Sequence, residues 1–221
     1  DEFMRAAGAH GLTFLAEASY HEMSLRNAGE RVRPMLEQLA RDDLVTKEQY
    51  LDFFTGRRFR QTLLCRREAN PAALADAAAI GDLQVAANLL PDAPAPDAQG
   101  RMRFSRPASG GVATDNPLMQ AVLTRCAGRY PEALPVTALV DEVQTTSGSP
   151  HARGDDLATA CRFLLGAFEV GILELHCDPP RLAWQASDRP RANPLARLQA
   201  QAGATQVASL RPATVGLDDA Y

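Results

Sequence analysis

Lysine is almost missing from this sequence: of its 23 basic residues 22 are arginine, and Lys47 stands alone. The bias runs through the whole chain and alanine is abundant as well, so it reads as the mark of a GC-rich gene and assigns no site. A basic excess is missing too. The formal net charge is −4, which argues against a dedicated nucleic-acid binder, because such proteins gather cations for the phosphates. Cysteine is sparse and dispersed: Cys65, Cys126, Cys161 and Cys177 form no CxxC pair, and His10, His21, His151 and His176 do not help them. A structural zinc site needs closely spaced ligands, so no metal is expected and the thiols read as free in a reducing cytoplasm. No apolar run approaches the roughly 20 residues of a membrane span, and no secretory leader opens the chain. The first residue is Asp1 and not methionine, which predicts an excised or processed piece of a longer protein.

Signatures of catalysis are equally scarce. No glycine-rich turn links a strand to a helix, and GxxxxGK[ST], GxSxG and HExxH do not occur. Ser109-Gly110-Gly111 reads as a turn, His21-Glu22-Met23 as a loop and Asp42-Asp43 as a solvated pair at a helix end. No residue is therefore assigned to catalysis, to a cofactor or to a metal.

What is present is an ordinary globular composition, 46% hydrophobic and 23% charged over 221 residues, long enough for one large or two small domains. The first part reads as helix then strand over "EFMRAAGAHGLTFLAEA", with Gly11 as a left-handed cap. A second helix follows with Val32, Met35, Leu36 and Leu39 on one face. A third starts at a capping box of Thr46 and Gln49, turns Tyr50, Phe53 and Phe54 inward, and ends at Gly56. "RRFRQTLLCR" reads as a strand, "NPAALADAA" as a short helix capped by Asn70, and "LQVAANLL" as a further strand. The proline-rich, acidic "PDAPAPDAQG" marks an exposed connection. It places a domain boundary between residues 98 and 99.

The second part, residues 99–221, has a clearer rhythm. Two strands ("RMRFS", "GGVAT") precede a helix capped by Asp115 or Asn116, with Pro117 in its first turn and carrying Leu118, Ala121, Val122 and Leu123. A second helix buries Leu139 and Val143, a third opens at Asp155 or Asp156, and "ILELHCDPPRLAW" reads as a hairpin turning at Asp178-Pro179-Pro180. Three helices and a hairpin give the order of a winged helix. The chain is thus predicted to be α+β, a mainly helical module with a few strands followed by a winged-helix-like module. Between Asp115 and Trp184 five basic residues face nine acidic ones. Phosphate contacts need the opposite balance, so a protein-interaction winged helix is favoured and a DNA-binding transcriptional regulator is the alternative.

One stretch departs from the rest. "YLDFFTGRRFRQTLLCRRE", Tyr50 to Glu68, packs five arginines among aromatic residues in an otherwise acidic chain. Arg57, Arg58 and Arg60 either pair with the acids of "EQYLD" and "RDD" along an exposed edge, or receive a carboxylate-rich partner with Phe59 as anchor. Arg57, Arg58, Phe59 and Arg60 are the candidate interaction surface.

"GLTFLAEASYHEM" (Gly11–Met23) with "EQYLDFFTGRRFRQTLLCR" (Glu48–Arg66) resembles the predicted methyltransferase regulatory domain. That module follows the catalytic domain in a group of bacterial S-adenosylmethionine-dependent methyltransferases, among them protein lysine methyltransferases. "TDNPLMQAVLTRCAGRYPEALPVTALV" (Thr114–Val140), "FLLGAFEVGILELH" (Phe163–His176) and "ANPLARLQAQAGATQVASLR" (Ala192–Arg211) resemble the winged-helix-containing C-terminal part of the same proteins. The family's cofactor site lies in an upstream Rossmann-like domain that nothing here matches, so none of its catalytic residues transfers to this chain. The resemblance implies a non-catalytic regulatory and substrate-recognition module without a cofactor of its own. Its implied partners are a methyltransferase catalytic domain, in cis or in trans, and a protein substrate, with no nucleic acid and no membrane.

Overall fold

The chain starts with an amphipathic turn-and-ribbon unit. α1 (Glu2–Ala9) is closed by Gly11, whose φ of 72° is open to glycine without strain, and the chain enters β1 (Leu12–Glu17). This computed structural model describes residues 2–39, 44–71, 75–107, 110–147, 153–179, 182, 185, 187–210 and 214–217. β1 pairs antiparallel with β2 (Thr62–Arg66), Leu12 opposite Arg66 and Glu17 opposite Thr62, with a bulge between Phe14 and Ala16. Between the two strands lie two 3₁₀ turns (Tyr20–Met23 and Leu25–Ala28), α2 (Arg33–Leu39) and α3 (Leu44–Thr55). Ala28, Leu36 and Leu51 form a small buried cluster, with Leu25 and Val32 packed against it.

Several local expectations are corrected here. Met35 is exposed while Leu36 is buried, so α2 turns a narrower face inward than its periodicity implied. α3 already includes Leu44, which puts Thr46 within the helix and not at its cap. Tyr50, Phe53 and Phe54 face outward, and Glu48 and Leu51 take the buried side. The strand expected from Arg57 begins only at Thr62. Asn70 does not open a helix: it closes a 3₁₀ turn (Arg67–Ala69) in the left-handed region, at φ 42°. The middle of that expected helix, residues 72–74, lies outside the described residues, and 77–82 is 3₁₀.

The second body is α+β and holds the larger core. β3 (Gln84–Ala86) is the central strand of a three-stranded antiparallel sheet, flanked by β7 (Leu134–Pro135) and β8 (Glu174–His176). A meander joins β4 (Leu90–Pro91), β5 (Met102–Ser105) and β6 (Gly111–Thr114). α4 (Pro117–Arg129), α5 (Val136–Ser147) and α6 (Arg153–Glu169) enclose a core of Phe104, Met119, Val122, Leu123, Val136, Val140 and Leu164, with Ile80 and Val85 joining from the earlier segment. Gly111 is required by approach: a Cβ there would meet the Phe104 carbonyl oxygen at 2.4 Å. The 98/99 position falls between β4 and β5, hydrogen-bonded neighbours in one sheet, and residues 80–91 already belong to this second body. The proline-rich stretch is therefore the β4–β5 connection.

α6 starts at Arg153, which places Asp155 and Asp156 in its first turn; buried Asp156 accepts from Gln144 Nε2 at 2.6 Å. β8 pairs with β3, while Pro180, Arg181, Ala183 and Trp184 of the expected hairpin lie outside the described residues. α7 (Pro194–Gln201), capped by Asn193, packs on β9 (Gln206–Ala208), which pairs antiparallel with β10 (Thr214–Gly216). Among the described residues no helix is long and apolar enough to cross a membrane.

The cap of α4 is resolved in favour of Asn116, whose Oδ1 accepts from Leu118 N at 2.9 Å and Met119 N at 3.3 Å. Asn116→Ala is expected to lower unfolding free energy by about 1 kcal/mol, and Asp115→Ala by less than about 0.5 kcal/mol. Denaturant titration of the two variants reads the difference directly.

Candidate functional site

The arginine-rich stretch folds back on the helix before it. Gly56, at φ 67°, ends α3 and reverses the chain. Arg57 then reaches three acids: Asp52 Oδ1 through Nε at 2.6 Å, Glu48 Oε2 through Nη2 at 2.8 Å and Glu22 Oε2 through Nη1 at 3.4 Å. Its backbone N–H also donates to the Asp52 carbonyl at 3.1 Å. Arg60 takes the other oxygen of the same carboxylate, Asp52 Oδ2, through Nε at 2.7 Å and Nη2 at 2.6 Å. Two arginines three positions apart thus share one aspartate, and the residues between them form a tip. Arg58 and Phe59 occupy it, both exposed, with Phe59 at 87%.

Of the four residues predicted as a surface, the structure therefore separates two from two. Arg57 and Arg60 are mostly buried and turned to their own chain, whereas Arg58 and Phe59 face solvent. The helix carries more outward rings: Tyr50, Phe53 and Phe54 follow at i, i+3 and i+4, one side of a helix. Phe53 is 86% exposed. Sequence reasoning missed these three because it assigned the rings to the core. The contrary signal was Glu48 and Asp52, four apart and followed by arginines across a glycine turn.

Beneath the tip lies an unusual charge arrangement. Glu48 is 0% exposed and Glu17 1%. Glu17 Oε1 accepts from Thr62 Oγ1 at 3.2 Å and its backbone N–H lies 3.1 Å from Met23 Sδ. Among the described residues, Glu17 Oε2 and Glu48 Oε1 have no hydrogen-bond partner, although Lys47 Nζ stands 3.7 Å from the latter. Burial pushes the Glu48 carboxyl above its ordinary range, against the pull of Arg57 and Lys47 and with a small push from Glu17. For Arg57 burial opposes the charge, but hydrogen bonds to Glu48 and Asp52 outweigh it and raise the guanidinium further.

Elsewhere the chemistry is quiet. A groove of about 750 Å³ runs along α4 and α5, and its ionisable groups are already engaged, Arg125 with Glu142 and Arg129 with Glu132. Cys126 is buried and its thiol pushed up to about 12 by desolvation, away from nucleophilic use. His21 and Glu22 sit on a 3₁₀ turn; Asp42, Asp43 and Ser109 lie outside the described residues. Among the described residues no group of three His, Cys, Asp or Glu side chains is placed to hold a metal ion.

Two outcomes follow from the buried acids. Arg57→Ala strands Glu48 and is expected to destabilise by about 3 kcal/mol, whereas Arg58→Ala changes unfolding free energy by less than about 0.5 kcal/mol. The second concerns pH. Folded Glu48 binds its proton at higher pH than the unfolded chain does, whose ordinary value is 4.5. Its share of stability is therefore full below that value and declines as pH rises through the raised folded value. Glu48→Gln removes this slope, so the stability of wild type relative to the variant falls as pH rises above 4.5, measured by denaturant unfolding at each pH.

Comparison with known proteins places this geometry. A family described as "predicted methyltransferase regulatory domain" matches residues 1–66, the segment from α1 to the end of β2. An uncharacterized protein of Rickettsia prowazekii, RP789, is 26% identical over 211 residues, covering 90% of this chain and 37% of its own length. Among solved structures, PKMT2 from Rickettsia typhi superposes with a TM-score of 0.81 at 21% identity, over 98% of this chain and 44% of that one. The same protein in complex with AdoHcy gives 0.82 at 22% identity, with the same coverage. The chain spans well under half the length of these relatives, and the structural likeness establishes a shared fold. The family match falls on α1 to β2 and takes in α3 and its arginine tip.

Proposed function

We propose that this chain is a non-catalytic regulatory and substrate-recognition module of an S-adenosylmethionine-dependent methyltransferase that acts on proteins in the cytoplasm. One observation carries the reading: the regulatory-domain match over residues 1–66 sits inside a fold that covers 44% of a PKMT2 chain, and that protein has been solved with AdoHcy. On this reading the methyl donor belongs to a partner catalytic domain, in cis or in trans, and this chain supplies shape and contact. Remote binding energy can hold a flexible lysine side chain in line with a methyl donor, which converts affinity into rate.

Arg58 and Phe59 act as the contact, and Arg57 and Arg60 hold the tip in shape through Asp52. We divide the chain between Arg66 and Ala77, where the regulatory match ends and the second body's first turn begins. α4, β7, α5, α6 and β8 follow in winged-helix order, with β3 as the strand both β7 and β8 pair with. We read this unit as a protein-interaction winged helix. The acids of the first turn of α6 oppose phosphate contact and make DNA recognition the weaker reading.

Methyl transfer to a protein substrate tests the proposal. Joined to the catalytic domain on one polypeptide, the chain is expected to raise kcat/KM for the protein substrate at least about tenfold, or about 1.4 kcal/mol. Combined Arg58→Ala and Phe59→Ala removes most of that gain with an unchanged melting temperature. Calorimetry of the isolated chain with S-adenosylmethionine gives no binding heat. Methyl transfer by the isolated chain would overturn the reading.

A further inference from the structure

We infer that the outward side of α3, continued by the tip that follows it, is the surface on which a methyltransferase catalytic domain seats. The inference rests on the function proposed above and names the partner of this particular face. Tyr50, Phe53 and Phe54 stand on the side of α3 opposite Glu48 and Leu51, and Phe53 and Phe59 are 86% and 87% exposed. Asp52 lies one residue from Phe53 and receives both Arg57 and Arg60, which holds Phe59 at the same end of the helix. Among the described residues every strongly exposed aromatic ring, Phe3 included, lies within the 66 residues of the regulatory match; the exposed apolar side chains of the second body are aliphatic.

Three considerations select the occupant. Rings left in water this completely mark an interaction face, and permanent interfaces are the more apolar ones. A substrate that leaves after each turnover would return all of them to water. The relatives supply a permanent candidate, since this chain corresponds to 37% of one and 44% of the other. A second copy of this chain is disfavoured by charge. Arg58 is exposed and makes no ion pair among the described residues, and a two-fold contact through the tip would bring two such arginines together. The partner's surface is therefore apolar with a carboxylate opposite Arg58.

Photocrosslinking in the native cell decides the matter. p-Benzoylphenylalanine replaces Phe53 or Phe59, and, as a control, Leu198, an exposed residue on α7. Crosslinked peptides are identified by mass spectrometry. The expected result is capture of methyltransferase-domain peptides at positions 53 and 59 at least tenfold above the control, abolished by Arg58→Glu. Capture at position 198 alone would leave the proposed function standing and overturn this surface. Capture at 53 and 59 of a second copy, or of a methylated protein, would likewise overturn it. Absence of methyltransferase peptides at all three positions would overturn both readings.

Discussion

A fully buried carboxylate governs the N-terminal half of this molecule. Glu48 has no exposure, and an ionised group removed from water needs a cation at close range. Arg57 supplies it at 2.8 Å, and because Arg57 stands just beyond Gly56, the chain has to double back along α3 to deliver it. Once that return is made, α3 has no rotational freedom left. Its polar side carrying Glu48 and Asp52 is inside, and its aromatic side must be outside. The exposure of Tyr50, Phe53 and Phe54 is thus the other face of an electrostatic decision.

The same constraint explains why α4 was readable from the sequence and α3 was not. In α4 the apolar residues Leu118, Ala121, Val122 and Leu123 lie at helical spacing, with Asn116 and Pro117 before them; Leu118, Val122 and Leu123 are buried and Ala121 is half-buried against the same core. There, burial of apolar area is the only strong force, so periodicity and fold agree. In α3, rings and acids compete for the inside and the acids win, because two arginines commit to them. The expected strand over residues 57–61 fails for a related reason. In a strand, residues 57 and 60 would point to opposite faces, yet both guanidinium groups converge on Asp52. Of the predicted contact residues, Arg58 and Phe59 were legible as surface because nothing claims them. Pairing of Arg57 and Arg60 with the "EQYLD" acids was one of the two readings the sequence left open.

Long-range pairing was the other illegible part. β3 is three residues long and meets β7 some 50 positions later and β8 some 90 later. No local pattern encodes such partners, and the prolines at 91, 94 and 96 point to a boundary where the structure has a sheet connection. The two bodies meet mainly through α6. Tyr20 stacks on Phe168 with ring centroids 5.3 Å apart, and Arg26 pairs with Glu169 at 2.9 Å. Arg26 is well exposed, so that pair contributes little, and the stacked rings are the firmer link, worth about 1 kcal/mol beyond their area.

Magnitudes bear on how the aromatic face is used. Complete burial of an exposed phenylalanine stabilises by about 2 kcal/mol, so Phe53 and Phe59 together offer about 4 kcal/mol, a factor of roughly a thousand. Arg58 in a rim ion pair adds at most about 1 kcal/mol; its value lies in orientation. Bringing two free bodies together costs about 4–15 kcal/mol in lost translation and rotation, so these rings alone cannot hold a dilute partner. For a partner on the same polypeptide most of that cost is already met, since a short linker sets an effective concentration of about millimolar. The face has the strength of a tethered dock: firm when the partner is linked or already held by a second surface, and too weak to recruit one from solution.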